Sequence, residues 1–341
     1  MKRLGGVLLF LLLAAAIFFG IFCYAERQQH QKEEEEQPVG RLVVYTSLPK
    51  GFVQIFDAPF YEGTGFRLTV EELSGGQILE RLRQGVRPDL YLVSQDILHA
   101  LEQEEALFPY VSDKTDTVLN DFKNESGAWT GVWINPGVFA VNTEFAALHP
   151  AFSYTWDEIF HRQSVRIVMT DCIAAEEAED SLMALVENFG VEESFVRLRN
   201  AAPHVVQYGK YLSTPAHMAA MDKCDIGISG YNEARRVKEE GLPIRITYPE
   251  DGTYFYLYGA GIDRMSREKD AAALWIDWLL SGDGEALLSQ NGYYYMYTND
   301  TRLPEDDGGK KPLFWPLQKK YTAEGKKELL NRWIQEIRFG N

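Results

Sequence analysis

From Arg41 onward, short apolar runs alternate with amphipathic segments, and this alternation constrains the fold more than any other feature of the chain. A strand whose connecting helix must return to the same sheet builds parallel strands joined by crossovers, so the expected class is α/β with a largely parallel sheet. Residues 42–45 read as a buried strand, followed by a helix over 52–61 and a strand over 67–71. Ser74-Gly75-Gly76 opens the next helix, with Ile78, Leu79 and Leu82 on one face, and 89–93 is a third strand running into a helix that ends near Ala106. Such a β-α-β-α-β half places ligands at the carboxyl ends of its strands. The stretch 129–142 reads as two short strands broken at Asn135-Pro136-Gly137, because Pro interrupts ladder pairing and Gly permits redirection. It is expected to carry the chain into a second domain with strands at 165–170, 205–208 and 225–229. Helices over 174–200, 231–240 and after Ser213-Thr214-Pro215 accompany them. The run 254–262 then returns to the first domain, where helices at 269–280 and 284–290 pack, and 323–339 is a last amphipathic helix.

Composition narrows the function classes. Of 341 residues, 45% are hydrophobic and 25% charged, which suits a large buried core. The net charge is −16, and since the first 25 residues contribute only Lys2 and Arg3, the remainder holds −18. Bulk binding to nucleic-acid phosphates is therefore not expected. Lys2 and Arg3 precede an uncharged run over 4–25, long enough for a membrane helix and oriented to place the rest of the chain outside the cytoplasm. The run is compatible with an uncleaved anchor, with cleavage at Cys23-Tyr24-Ala25, or with lipidation of Cys23, the last opposed by bulky Phe22. Each places the protein on the extracytoplasmic face of the membrane, anchored or secreted after cleavage. Residues 26–40 are a polar spacer with four consecutive glutamates, Glu33 to Glu36.

The order of these pieces resembles the type II periplasmic-binding-protein fold, in its ferric-iron and anion-binding branch. The matching residues are LVVYTS at 42–47, SGGQILERL at 74–82, RPDLYLVS at 87–94 and WTGVWINPGVFAVN at 129–142. TWDEIF at 155–160, CDIGISGYNEARRV at 224–237, YGAGI at 258–262 and KELLNRWIQEI at 327–337 continue the series. The resemblance implies two lobes joined by two chain crossovers at a hinge. Lobe one is expected at 41–136 and 259–341, and lobe two at 137–258. It also implies a solute-binding protein that serves an ABC permease, with a tethered sensing subunit for a membrane histidine kinase as an alternative. A ferric-iron-binding protein is a further one. Iron-binding members carry adjacent tyrosines after the strand corresponding to 225–229, whereas here the chain reads Gly230-Tyr231-Asn232, with one tyrosine. The basic residue often found at the first crossover is replaced by Asn135-Pro136.

Candidate ligand contacts are set by position. Ser74, Gly75 and Gly76 open a helix whose free N–H groups suit an anion, and Ser213 and Thr214 before Pro215 form a matching device in lobe two. Thr46 and Ser47 end the first strand, Ser94 the third, and Thr170 and Asp171 the first strand of lobe two. Tyr231 follows Ser229, and Asn135 lies at the crossover. These hydroxyls and helix starts suit an oxygen-rich organic anion bound by hinge closure. Tyr254, Tyr256 and Tyr258 alternate along one strand face and, with Trp133, are expected to pack between lobes. Glu176, Glu177, Glu179 and Asp180 read as a solvated helix face. The histidines and cysteines show no metal-ligand spacing, and no nucleophile-elbow or phosphate-loop motif occurs, so neither metal, cofactor nor catalytic residue is expected. Cys172 and Cys224 fall at opposite ends of parallel strands and are expected to be free thiols.

Overall fold

The computed structural model describes residues 39–300 and 303–340. The apolar run at 1–25 and the spacer up to residue 38 lie outside the described residues. Among the described residues no helix is long and apolar enough to cross a membrane. The strands in chain order are β1 (Gly40–Thr46), β2 (Phe66–Glu72), β3 (Leu90–Ser94), β4 (Leu107–Phe108), β5 (Thr130–Asn142) and β6 (Ile167–Thr170). They continue with β7 (Val205–Gly209), β8 (Ile226–Gly230), β9 (Ile244–Thr247), β10 (Phe255–Asp263) and β11 (Met296–Tyr297). Hydrogen bonding runs in the order β2-β1-β3-β10-β5-β8-β6-β7, with β4 on β10 and both β9 and β11 on β5.

The two-lobed α/β architecture is organised by β5. Its first half pairs antiparallel with β10, from Thr130 opposite Ala260 to Pro136 opposite Phe255. Its second half pairs with β8, from Gly137 opposite Gly230 to Val141 opposite Ile226, and with β9 on the other side. The break expected at Asn135-Pro136-Gly137 is absent, and a single 13-residue strand spans it. Pro136 is tolerated because it falls where β5 exchanges one partner for another, so the ladder bond that proline removes is at a seam. Gly137 N resumes pairing with the carbonyl of Tyr254 at 2.9 Å.

Alternation along β5 then splits the core. Val138 and Ala140 face one cluster, continuous with the lobe-one residues Leu42, Val44, Leu92 and Trp133, while Phe139 and Val141 face another with Trp156, Met169 and Phe195. The expected helix over 52–61 is divided into Lys50–Gln54 and Asp57–Thr64. Pro59 explains the division: inside a continuous helix it would delete a bond, whereas in the first turn of a new helix its missing N–H leaves nothing unpaired. The last helix, Ala323–Arg332 and its π-turn extension Trp333–Arg338, is expected from sequence in lobe one, but Trp333 and Ile337 enter the second cluster, beside Phe195 and Leu198. Strand β9, IRIT, is too short and too polar at Arg245 to stand out in the sequence.

Cys172 and Cys224 are both free and buried, and burial pushes both thiols above the ordinary value. In lobe two the helix Thr214–Ala220 lies directly on β8, so a Cβ at Gly227 would meet the Pro215 carbonyl oxygen at 2.3 Å. Gly227→Ala must push helix and strand apart. It is expected to destabilise the protein by about 1–3 kcal/mol, the usual range for core overpacking, read as a lower midpoint in urea unfolding. An unchanged midpoint would contradict the close contact.

Candidate functional site

The carboxyl ends of β1 and β3 face the carboxyl ends of β6 and β8 across a cleft. Two adjoining cavities occupy it, of about 260 and 40 Å3. The larger is walled by Ser74, Gly75, Gly76, Ser94 and Asp96 on one side, and by Glu176, Glu179 and Asp180 on the other. The smaller is walled by Asn135, Thr170, Glu177, Ser229 and Gly230, and Tyr256 of β10 lines both.

The sequence candidates divide accordingly. Ser74 caps the helix Gly75–Arg83 through a reciprocal box, its Oγ accepting from Gln77 N at 3.4 Å while its own N donates to Gln77 Oε1 at 2.9 Å. Ser94 is buried and donates to Asp96 at 2.5 Å. Asn135 and Thr170 line the smaller cavity. Gly75 and Gly76 line the larger cavity with Ser74, and the remaining candidates line neither space. Ser47 lies near Glu176 with its Oγ making no hydrogen bond among the described residues, whereas Thr46 is a buried turn residue whose Oγ1 accepts from Leu48 N at 3.0 Å. Asp171 is engaged elsewhere, accepting from Trp333 Nε1 at 2.9 Å and Arg338 Nε at 2.6 Å. Tyr231 stacks on Tyr248 with ring centroids 6.4 Å apart and lines a separate cavity with Tyr293 to Tyr297. Ser213 already has helical backbone angles, φ −78° and ψ −14°, and its side chain makes no cap, so it and Thr214 do not mirror Ser74.

Carboxylates dominate the cleft instead. The run at 176–180 is not a solvated face: Asp180 is buried, Glu177 half-buried, and Glu176 sits at the open rim. Asn135 Nδ2 donates to Glu177 Oε2 at 2.7 Å and to Glu233 Oε2 at 3.0 Å, so both carboxylates lean on one amide. Asn135 Oδ1 accepts from Asn232 N at 2.9 Å, which fixes the amide's orientation. Tyr258 OH donates to Glu177 Oε1 at 3.0 Å, and Tyr256 OH lies 3.4 Å from Glu176 Oε2.

Two lysines from the C-terminal segment answer part of this charge. Lys319 Nζ, buried, meets Asp180 at 2.6 Å and also donates to the Phe255 carbonyl. Lys326 Nζ bridges Asp96 at 2.7 Å and Glu179 at 2.8 Å, one residue from each wall. Desolvation opposes the ionised form of Asp96, yet Lys326 and Ser94 outweigh it and hold that carboxyl below its ordinary value. Glu177 has no such cation. Desolvation, then repulsion from Glu233, push its carboxyl up to about 8. Glu176 is raised by desolvation and by Asp96. Burial also drives the Tyr256, Tyr258 and Tyr295 phenols well up, keeping them neutral donors.

Sequence reasoning therefore missed Glu177, Glu233 and the two lysines. The signal existed for the first: Glu176 and Glu177 are the first two residues of the helix after β6, as Gly75 and Gly76 are of the helix after β2. Glu233 lies in the first turn of the helix Tyr231–Glu239, and nothing local marks it.

Known proteins resemble the chain over most of its length. The profile of the family described as bacterial extracellular solute-binding protein matches residues 42–294. An uncharacterized protein of Haemophilus influenzae is 24% identical over 316 residues, covering 88% of this chain and 91% of its own length. Among solved structures, the periplasmic binding protein AfuA of Actinobacillus pleuropneumoniae, with exogenous fructose-6-phosphate bound, superposes with a TM-score of 0.69. It is 24% identical and covers 88% of this chain and 99% of its own. Iron-bound HitA of Pseudomonas aeruginosa gives a TM-score of 0.70 at 18% identity, covering 85% and 98%.

A carboxyl that holds its proton more tightly folded than unfolded destabilises the fold as pH rises from the ordinary carboxyl value toward its raised one. For Glu177 that window runs from about 4.3, the unperturbed Glu value, up to about 8. Glu177→Gln keeps a group that can accept from Asn135 and meet Tyr258, and removes the ionisation. The variant is expected to melt several degrees higher than the parent at pH 8, with a much smaller difference at pH 5. Equal shifts at both values would contradict the assigned environment.

Proposed function

Because the chain belongs to the bacterial extracellular solute-binding proteins, we propose that its cleft captures one small solute by closure of two lobes and presents it to an ABC permease. The family is extracytoplasmic, and in this reading the apolar run at 4–25 delivers the protein to that side and tethers it there. The observation that carries the reading is that the cavity walls are drawn from both lobes, Ser74 to Gly76 and Asp96 from one and Glu176 to Asp180 from the other, with Tyr256 of the returning strand between them. A ligand touching both walls stabilises the closed arrangement by contacts that the open one lacks. The moving bodies would be 41–136 with the strand returning near 259, and 137–258. The terminal segment would travel with the second body, since Trp333 and Arg338 are fixed on Asp171.

Lys326 tests the hinge. Its two ion pairs join the walls, so Lys326→Met is expected to favour the open arrangement, giving a larger radius of gyration by small-angle scattering without added ligand. Native mass spectrometry of the parent protein, purified without denaturation, should find a retained small molecule whose removal also enlarges the radius. A radius indifferent to both changes would sink the closure mechanism.

A further inference from the structure

Charge in the cleft is not balanced by the chain itself. Lys319 answers Asp180, and Lys326 answers Asp96 and Glu179. Glu176, Glu177 and Glu233 form no ion pair among the described residues. Their partners are neutral: the Asn135 amide, the Tyr256 and Tyr258 phenols, and Asn232 Nδ2, which donates to Glu233 Oε1 at 2.6 Å. Carboxylates withdrawn from water are stable only when protonated or paired with a cation. Glu233 is buried and Glu177 half-buried, so their charge is answered either by a proton held on Glu177 or by a cation from outside the chain, whereas Glu176 lies exposed at the rim.

We propose that the solute is a small organic cation whose ammonium group sits at the Glu177–Glu233 pair on the floor of the cleft. This rests on the reading that the cleft is the solute site. The smaller cavity, about 40 Å3, is lined by Glu177 and Asn135, with Glu233 behind that amide and outside the lining, and Tyr256 borders both it and the larger space that would hold the rest of the molecule. Tyr256 and Tyr258 pack edge to face with centroids 4.8 Å apart, and Tyr295 adjoins Tyr258 at 5.8 Å, so aromatic rings border the carboxylates. Rings of this kind attract a cation electrostatically. The anion suggested by Ser74 to Gly76 would share its cavity with Glu176, Glu179, Asp180 and Asp96, against a single Lys326 already held by two of them. A neutral polyol could accept and donate hydrogen bonds but would leave the charge unanswered.

A cation also leaves a protonic signature. The groups around Glu177 are Glu233, Asp180, Asn135 and Tyr258. Seating an ammonium among them favours the ionised form of Glu177, so binding at pH 7 releases protons and affinity rises from pH 6 to pH 8. Calorimetry on the full chain in mild detergent, in buffers of different ionisation heat, should show putrescine binding with net proton release. Glu177→Gln and Glu233→Gln, each checked for folding by circular dichroism, should each lower the affinity at least tenfold. Binding of fructose 6-phosphate or glucose in place of putrescine, unaffected by these substitutions, would overturn the proposal and leave solute capture standing. Putrescine binding that ignores both substitutions would overturn the assigned seat. If none of the three probes binds, the molecule retained from cells decides: one with a basic nitrogen supports the cation and one without refutes it. The absence of any retained molecule would sink the capture reading together with the proposal.

Discussion

Strand β5 is the constraint on which the rest depends. Its 13 residues are shared, half with β10 and half with β8 and β9, so one uninterrupted ladder sets the register of both sheets. Side chains alternate along it, and a slip of one residue would reverse every direction on both lobes at once. Asn135 is the last side chain before the pairing seam at Pro136, and its inward amide holds Glu177 and Glu233. The seam itself is tight: a Cβ at Gly137 would lie 2.7 Å from the Tyr254 ring and 2.8 Å from Thr253 Oγ1. The floor of the cleft is thus a consequence of sheet register, and the strand shared by both sheets carries the amide that orients its two carboxylates.

The C-terminal segment is the second determinant, because it supplies the cations. Lys319 has a left-handed backbone, φ 53°, which disfavours residues with a side chain. From that turn its Nζ meets Asp180 and the Phe255 carbonyl, so a local backbone cost of roughly 1–3 kcal/mol is set against a buried carboxylate that would otherwise be unpaired. Shortly after it, the N-cap Thr322 accepts from Gly325 N at 3.1 Å and starts the helix that presents Lys326 to both walls. The far end of the same helix is pinned by Trp333 and Arg338 on Asp171. One segment therefore closes a core, neutralises an acid and joins two walls.

Much of the fold was legible in the sequence because it rests on local pattern. β1, β2, β3, β6, β7, β8 and β10 coincide with apolar runs, and the helix after Ser74 begins where its capping box requires. The misreadings share one origin, that local rules cannot see a distant partner. Pro136 is a ladder breaker by rule, and only the change of partner from β10 to β8 makes it harmless. Asp171, at a strand end, is drawn away by Trp333 and Arg338, residues 162 and 167 positions later. Four acids within five residues look solvated until Lys319, Lys326 and Asn135 are brought to them from far along the chain. Asn135 was visible as a crossover residue, but its function as a shared donor to two carboxylates exists only in three dimensions.

The closure proposed for this molecule would bring like charges together. Asp96 stands on one wall and Glu176, Glu179 and Asp180 on the other, with Glu177 and Glu233 at the floor. As the walls approach, water leaves and the effective dielectric falls, so repulsion among them grows at the moment the cleft shuts. Lys326 offsets this at one point only, the Asp96–Glu179 contact, and it is tied to the terminal helix and cannot reach the floor. A bound molecule changes the balance of open and closed forms only by the difference in its affinity for them. Where the opposing term is electrostatic, the part of the ligand that differs most between the two forms is its charge, felt weakly in the solvated open cleft and strongly in the closed one. On that reading, the acids that weaken the empty closed form are the same groups that make closure depend on what is bound.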